Sequence, residues 1–150
     1  MIAYPDTSFL CALYVAQSNS SACIAHYQRM KEPLHVSALL LGEFRQSVRF
    51  QIFRHNRDAT QGYPRKTGLA ALAKLQSNLD AGALVVLPAE WAEVINIAER
   101  ISAQYTADGG HRYVDVLHIA TALHLRANEF LSFDVNQRKL AVAEGLAAKP

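Results

Sequence analysis

YVDVLHIATALHLRANEFLSFD, residues 113–134, decides how this chain folds. Its apolar spacing predicts a helix from about Val114 to Arg126, a tight turn at Ala127-Asn128, and a strand from Glu129 to Phe133. Asp115 falls in the first turn of that helix, and Asp134 falls just past the strand. A helix running back along a sheet delivers the next strand parallel to earlier ones, so the helix starts near the edge where strands end. Two carboxylates far apart in sequence are thereby expected to lie close together.

Working outward, Ile2–Pro5 reads as a first strand, followed at once by Asp6-Thr7-Ser8 and an apolar helix through Val15. A second helix is expected over Ser20–Met30, a second strand over Leu34–Val36, and a long helix from a Ser37 cap to about His55. Gly62 and Pro64 mark a polar, basic loop over residues 56–66, after which a helix runs from Thr67 to Asp80 and is closed by Gly82. Ala83–Leu87 reads as a strand. Trp91, Val94, Ile95, Ala98, Ile101 and Tyr105 then recur at helical spacing, as core or subunit interface, before the turn at Asp108-Gly109-Gly110. A last helix is expected over Gln137–Glu144, capped by Asn136 and closed by Gly145, with an edge strand over Leu146–Lys149. Strands alternating with helices predict an α/β fold with a mostly parallel sheet covered on both faces.

At 150 residues the expectation is a single domain, residues 1–150, with a sizeable core. A hydrophobic content of 51% argues against disorder, and a net charge of +2 means that attraction to nucleic acid must come from local clustering. Cys11 and Cys23 read as free thiols of a reducing compartment. No window approaches the roughly 20 apolar residues of a membrane span, and the N-terminus lacks the pattern of a secretory signal. A cytoplasmic protein with no membrane association is expected.

Four acidic residues stand out. Asp6 and Asp134 each follow a strand, where the bland alternative is a helix cap. Glu43 shares a helical face with Leu39, Leu40, Ser47 and Phe50, a stripe expected to face the core, where an unpaired carboxylate costs several kcal/mol. Asp115 lies among Val114, Val116, Leu117 and Ile119, with a favourable charge at a helix N-terminus as its plain explanation. At about 4–5 Å and an effective dielectric near 20, each like-charged pair would repel by roughly 3–4 kcal/mol. Converging carboxylates therefore call for a cation, and oxygen ligands point to Mg²⁺ or Mn²⁺ rather than zinc. Such an ion activates water and steadies charge on a phosphoryl group.

At these residues the chain resembles the PIN-domain ribonucleases, and within them the VapC-type toxins of toxin–antitoxin pairs. The likeness runs from YPDTSFL (Tyr4–Leu10), through the Glu43 helix, to DVLHIATAL (Asp115–Leu123) and FLSFDVNQRKLA (Phe130–Ala141). It implies a three-layer α/β/α sandwich, metal-dependent cleavage of RNA, a small antitoxin partner and a homodimer. It also implies that Asp6, Glu43, Asp115 and Asp134 are the catalytic, metal-binding quartet, with the hydroxyls of Thr7 and Ser132 supporting the first and last carboxylates, Asp6 and Asp134. Pro5 before the first Asp, and Asn136 where some relatives carry a further acid, depart from the family pattern.

Between Arg45 and Lys66 six basic residues face Asp58 alone, a local excess of +5 that suits an RNA backbone but equally a solvated helix face. Arg45 and Arg49 are the leading candidates there, with Arg112 and His111 in the loop before the Asp115 helix. His118, one turn after Asp115, reads as a core or supporting histidine. Two rivals remain: a catalytically degenerate module that only binds RNA or a partner, and a haloacid-dehalogenase-like phosphohydrolase. The second wants an Asp two residues after Asp6, where Ser8 stands.

Overall fold

Five strands of three residues each, all paired in parallel, form the frame in the computed structural model, which describes residues 1–150. In chain order the elements are β1 (Ala3–Pro5), α1 (Thr7–Tyr14), α2 (Ser20–Arg29), β2 (Leu34–Val36), α3 (Ala38–Arg57) and α4 (Arg65–Asp80). They continue as β3 (Leu84–Val86), α5 (Trp91–Gly109), α6 (Tyr113–His124), β4 (Glu129–Leu131), α7 (Val135–Ala143) and β5 (Ala147–Lys149). Hydrogen bonding joins β1, β4 and β5 in one sheet and β2 with β3 in another, with β1 lying alongside β2.

Successive residues of a strand point to opposite faces, yet Ala3, Tyr4 and Pro5 are all buried. Both faces of the central strands are therefore covered by helices, the α/β/α arrangement expected of a parallel sheet. One continuous core runs through Tyr4, Phe9, Leu34, Phe44, Ile101, Ile119 and Phe130. The expected strand over Leu34–Val36 and the Ser37 cap are found, with Ser37 Oγ accepting from Leu40 N at 3.2 Å. The weak edge strand after Gly145 is β5. Cys11 and Cys23 are free.

Three local expectations are corrected, and a fourth, the Trp91 stripe, divides between core and surface. Phe50 does not face the core: it is 52% exposed and stacks on Phe53 at 5.9 Å, because the buried stripe of α3 is Leu40, Leu41, Phe44, Val48 and Ile52. The turn at Asp108-Gly109 is the last turn of α5, which ends only where Gly110 takes the left-handed conformation at φ 66°. Along the Trp91 stripe, Val94, Ala98 and Ile101 enter the core while Trp91 and Ile95 stay exposed. Finally, α7 starts at Val135 and its cap is Asp134, whose Oδ1 accepts from Gln137 N at 2.8 Å. Asn136 instead donates to Gly109 O at 3.3 Å. No helix is long and apolar enough to cross a membrane.

Candidate active site

The carboxyl ends of β1 and β4 sit side by side because Tyr4 pairs with Phe130 and Pro5 with Leu131. Pro5 lacks an amide donor, but the ladder continues past it through Asp6 N, which donates to Leu131 O at 2.9 Å. Asp6 is fully buried and caps α1, accepting from Phe9 N at 2.9 Å and from the Ser8 hydroxyl at 2.6 Å. Its other oxygen accepts from Ser132 at 2.6 Å. The plain capping role and a place at the sheet edge thus coexist, one on each carboxylate oxygen. Burial pushes the Asp6 carboxyl up, against the pull of these hydroxyls and the amide.

Ser132 joins two of the four acids. It donates to Asp6 and accepts from the backbone of Asp134 at 3.0 Å. Asp134 in turn caps α7, and this fixes Gln137, whose Nε2 donates to Asp115 Oδ1 at 3.1 Å. Asp6, Asp134 and Asp115 are therefore strung together through Ser132 and Gln137. Asp115 is nearly buried in the first turn of α6, where the helix dipole favours its charge.

Glu43 reaches the same region from α3 and is held by two donors. The Thr7 hydroxyl donates to its Oε2, and His118 Nε2 lies 2.5 Å from the same oxygen. Burial works against ionisation of Glu43, but these contacts hold its carboxyl below the usual range. His118 is itself buried, with Nδ1 3.4 Å from the Tyr4 hydroxyl, which sits 2.7 Å from Ser37. The expectation of a supporting histidine is met, and the atom it supports is Glu43.

The electrostatics differ from a bare acidic hollow. Arg112 Nε and Nη2 grip Asp115 at 2.9 and 3.2 Å, and the guanidinium also interacts with the charges of Asp134 and Glu43. No three Asp, Glu, His or Cys side chains converge tightly enough to hold one metal ion. The four carboxylates do not close on one point as expected: each accepts from protein donors, and the Arg112 guanidinium adds a positive charge beside Asp115, Asp134 and Glu43. The donor chemistry nonetheless suits a hard divalent cation. All four groups offer carboxylate oxygens, and the buried Gln137 Oε1 beside them has no hydrogen-bond donor. Arg112, whose side chain is 75% exposed, is the solvent-facing member of the group.

The remaining expectations divide. Thr7 and Ser132 do not support the carboxylates expected of them: the Thr7 hydroxyl donates to Glu43 rather than Asp6, and the Ser132 hydroxyl donates to Asp6 while meeting only the backbone amide of Asp134. Arg45 is half-buried and Arg49 exposed on α3 beyond Glu43, and Arg112 is engaged by Asp115. Ser8 and Gln137 were not singled out in the sequence. Ser8 follows a capping Asp by two and Gln137 by three, a local signal for the cap but none for Gln137's reach to Asp115.

The family model for the PIN domain matches residues 3–143. Among curated proteins no sequence matches this chain. Among solved structures the chain is similar to VapC20 of Mycobacterium tuberculosis, described as a sarcin–ricin loop cleaving toxin, at 17% identity and a TM-score of 0.61. That match covers 97% of this chain and 96% of the other. FitAcB from Neisseria gonorrhoeae aligns at 17% identity and a TM-score of 0.62, covering 99% of this chain and 97% of that one. VapBC2 from Rickettsia felis, bound to a DNA fragment from its promoter, aligns at 12% identity and a TM-score of 0.67, covering 99% and 98%. At these identities the likeness is one of fold.

Proposed function

The chain belongs to the PIN-domain family, and from that we propose that it is a divalent-metal-dependent endoribonuclease, the VapC-type toxin of a toxin–antitoxin pair. The observation that carries the reading is the chain of contacts Asp6–Ser132–Asp134–Gln137–Asp115 at the carboxyl ends of β1 and β4. Substrates of parallel α/β sheets bind outside those strand ends.

In this proposal Asp6, Glu43, Asp115 and Asp134 hold Mg²⁺ or Mn²⁺. When bound, such an ion would polarise the phosphate and lower the pKa of a water, so that it can lose its proton and act as nucleophile. The chain's own residues do the positioning. Ser132 orients Asp6 and the backbone of Asp134 together, Thr7 and His118 fix the Glu43 carboxylate, and Gln137 sets the rotamer of Asp115. Arg112 exchanges Asp115 for a phosphate oxygen of the RNA, while Arg45 and Arg49 meet the backbone farther along α3. Structural relatives such as VapBC2 from Rickettsia felis are toxin–antitoxin complexes, which supports an antitoxin as partner. A homodimer working in the cytoplasm completes the proposal.

The test is cleavage of structured and single-stranded RNA by the purified protein. Cutting is expected with Mg²⁺ or Mn²⁺, none in excess chelator, and none for Asp115→Asn with an unchanged circular dichroism spectrum. Undiminished cutting in chelator removes the metal mechanism. Tight RNA binding without cutting under any metal identifies a binding module instead.

A further inference from the structure

We propose that the groove between α1 and α3 receives an unpaired base of the RNA, adjacent to the nucleotide being cut; this rests on the nuclease reading above. The two helices run in step away from the acidic residues. Thr7 meets Glu43 and, one turn on, Cys11 Sγ lies 3.8 Å from Ser47 Oγ, the same offset of 36 positions. A further turn brings Val15 and Gln51 to the same register. There the groove opens into a cavity of about 330 Å³, lined by Cys11, Val15, Ser47, Gln51, Gly62 and Tyr63 among others. At 1.5 Å rise per residue, Ser47 and Gln51 stand about 6 and 12 Å along α3 from Glu43. A strand whose phosphate sits at the carboxylates and follows α3 carries its neighbouring base into this space.

The cavity wall is built rather than incidental. The loop after α3 is fastened back onto that helix: Arg54 donates to the Gln61 side chain, and His55 Nδ1 lies 3.1 Å from Gln61 O. Gly62 comes so close that a Cβ on it would stand 2.0 Å from Gln51 O, and its φ of +55° also favours glycine. This close approach holds Tyr63 at the cavity.

The lining chooses the occupant. None of its side chains carries charge: Ser47, Gln51 and Gln17 are neutral, and burial pushes the Tyr63 phenol up to about 12 and raises the Cys11 thiol. A charged side chain of a protein partner would find no counter-ion inside. A nucleobase needs none. It offers a planar face for Tyr63 and edge donors and acceptors for the amide and hydroxyl, which is how proteins read unpaired RNA. The positive charge lies outside the cavity, at Arg54, whose Nη1 is 3.4 Å from Gln51 Oε1, and at Arg45 and Arg49, where the sugar–phosphate chain would pass.

The experiment uses a single-stranded RNA pool, randomised over a central window and cleaved with Mn²⁺, with the cut ends sequenced. Wild type is compared with Gln51→Leu, which keeps bulk but loses the amide, and with Ala16→Trp, which fills the cavity from an exposed loop position. Wild type is expected to prefer one base at a fixed position beside the cut. Both variants should flatten that preference by about three- to tenfold, the scale of one or two lost hydrogen bonds. As a second measurement, 4-thiouridine RNA bound to Asp115→Asn should crosslink to the peptide containing Tyr63. Cutting with an unaltered preference in both variants, or crosslinks confined to other peptides, overturns this inference and leaves the nuclease reading intact. An Ala16→Trp protein that keeps its base preference but escapes inhibition by the antitoxin assigns the groove to that partner and also overturns it. No cutting of any RNA by wild type with either metal overturns both.

Discussion

Arg112 grips Asp115 through two parallel contacts, Nε to Oδ2 at 2.9 Å and Nη2 to Oδ1 at 3.2 Å, so the acid at the head of α6 already holds a cation. A divalent ion that needs Asp115 competes with that guanidinium. Arg112→Ala is expected to tighten Mn²⁺ binding several-fold by isothermal titration calorimetry, with only a small loss of thermal stability, because the guanidinium is exposed and Asp115 keeps its bond from Gln137. Weaker Mn²⁺ binding would show instead that Arg112 organises the acids.

Asp6 is a buried carboxylate that caps α1 and also stands at the sheet edge with Ser132. Asp6→Asn keeps the size and the cap on Phe9 N while removing the buried charge. It should abolish cleavage yet melt no lower than wild type in metal-free buffer. Asp6→Ala loses the cap as well and should cost about 1–2 kcal/mol in chemical denaturation. A markedly unstable Asp6→Asn would mean that the carboxylate serves the fold first.

Stability should depend on acid through Glu144, away from the site. Arg100 donates to both of its oxygens, at 3.1 and 2.5 Å, and holds the carboxyl below its usual range. A lowered folded-state value means stability that is present above the unfolded value of 4.5 and lost as pH falls through the folded one. Glu144→Gln should therefore cost about 1 kcal/mol or less near neutrality, given the half-exposed Arg100, and nothing below about pH 3. Equal penalties at both pH values would trace the loss to packing.

Tyr4 ties the sheet to the histidine behind Glu43. Its hydroxyl touches Ser37 and His118 in the core, so Tyr4→Phe takes one partner from each of two buried polar groups. Urea denaturation should show a loss of about 1–3 kcal/mol. Cleavage should also slow, since His118 would no longer be held against Glu43. A stable protein with full activity would make Tyr4 a filler.

Much of this was legible from pattern. The elements around Asp115 and Asp134 followed from apolar periodicity, and the parallel pairing of β1 with β4 from the rule that a helix returning along a sheet delivers a parallel strand. What escaped was direction on a helix. Phe50 shares Glu43's face by counting, yet it is exposed because the face of α3 that packs inward runs through Phe44, Val48 and Ile52. Asp134 and Asn136 were both plausible caps, and only the backbone between them decides which oxygen meets Gln137 N. The pairing of Arg112 with Asp115 was invisible for a different reason. A flexible, exposed side chain has many partners within reach, and no spacing rule says which it takes.

Ser132 has a consequence for how the molecule comes into being. It clasps Asp6 across 126 positions, and the amide it accepts from belongs to Asp134. During synthesis the amino-terminal acid must wait in an unmade pocket until the last eighth of the polypeptide leaves the ribosome. A nascent or prematurely terminated product therefore has most of the helices without the clasp that joins Asp6 to Asp134, and the candidate site is assembled only late in synthesis.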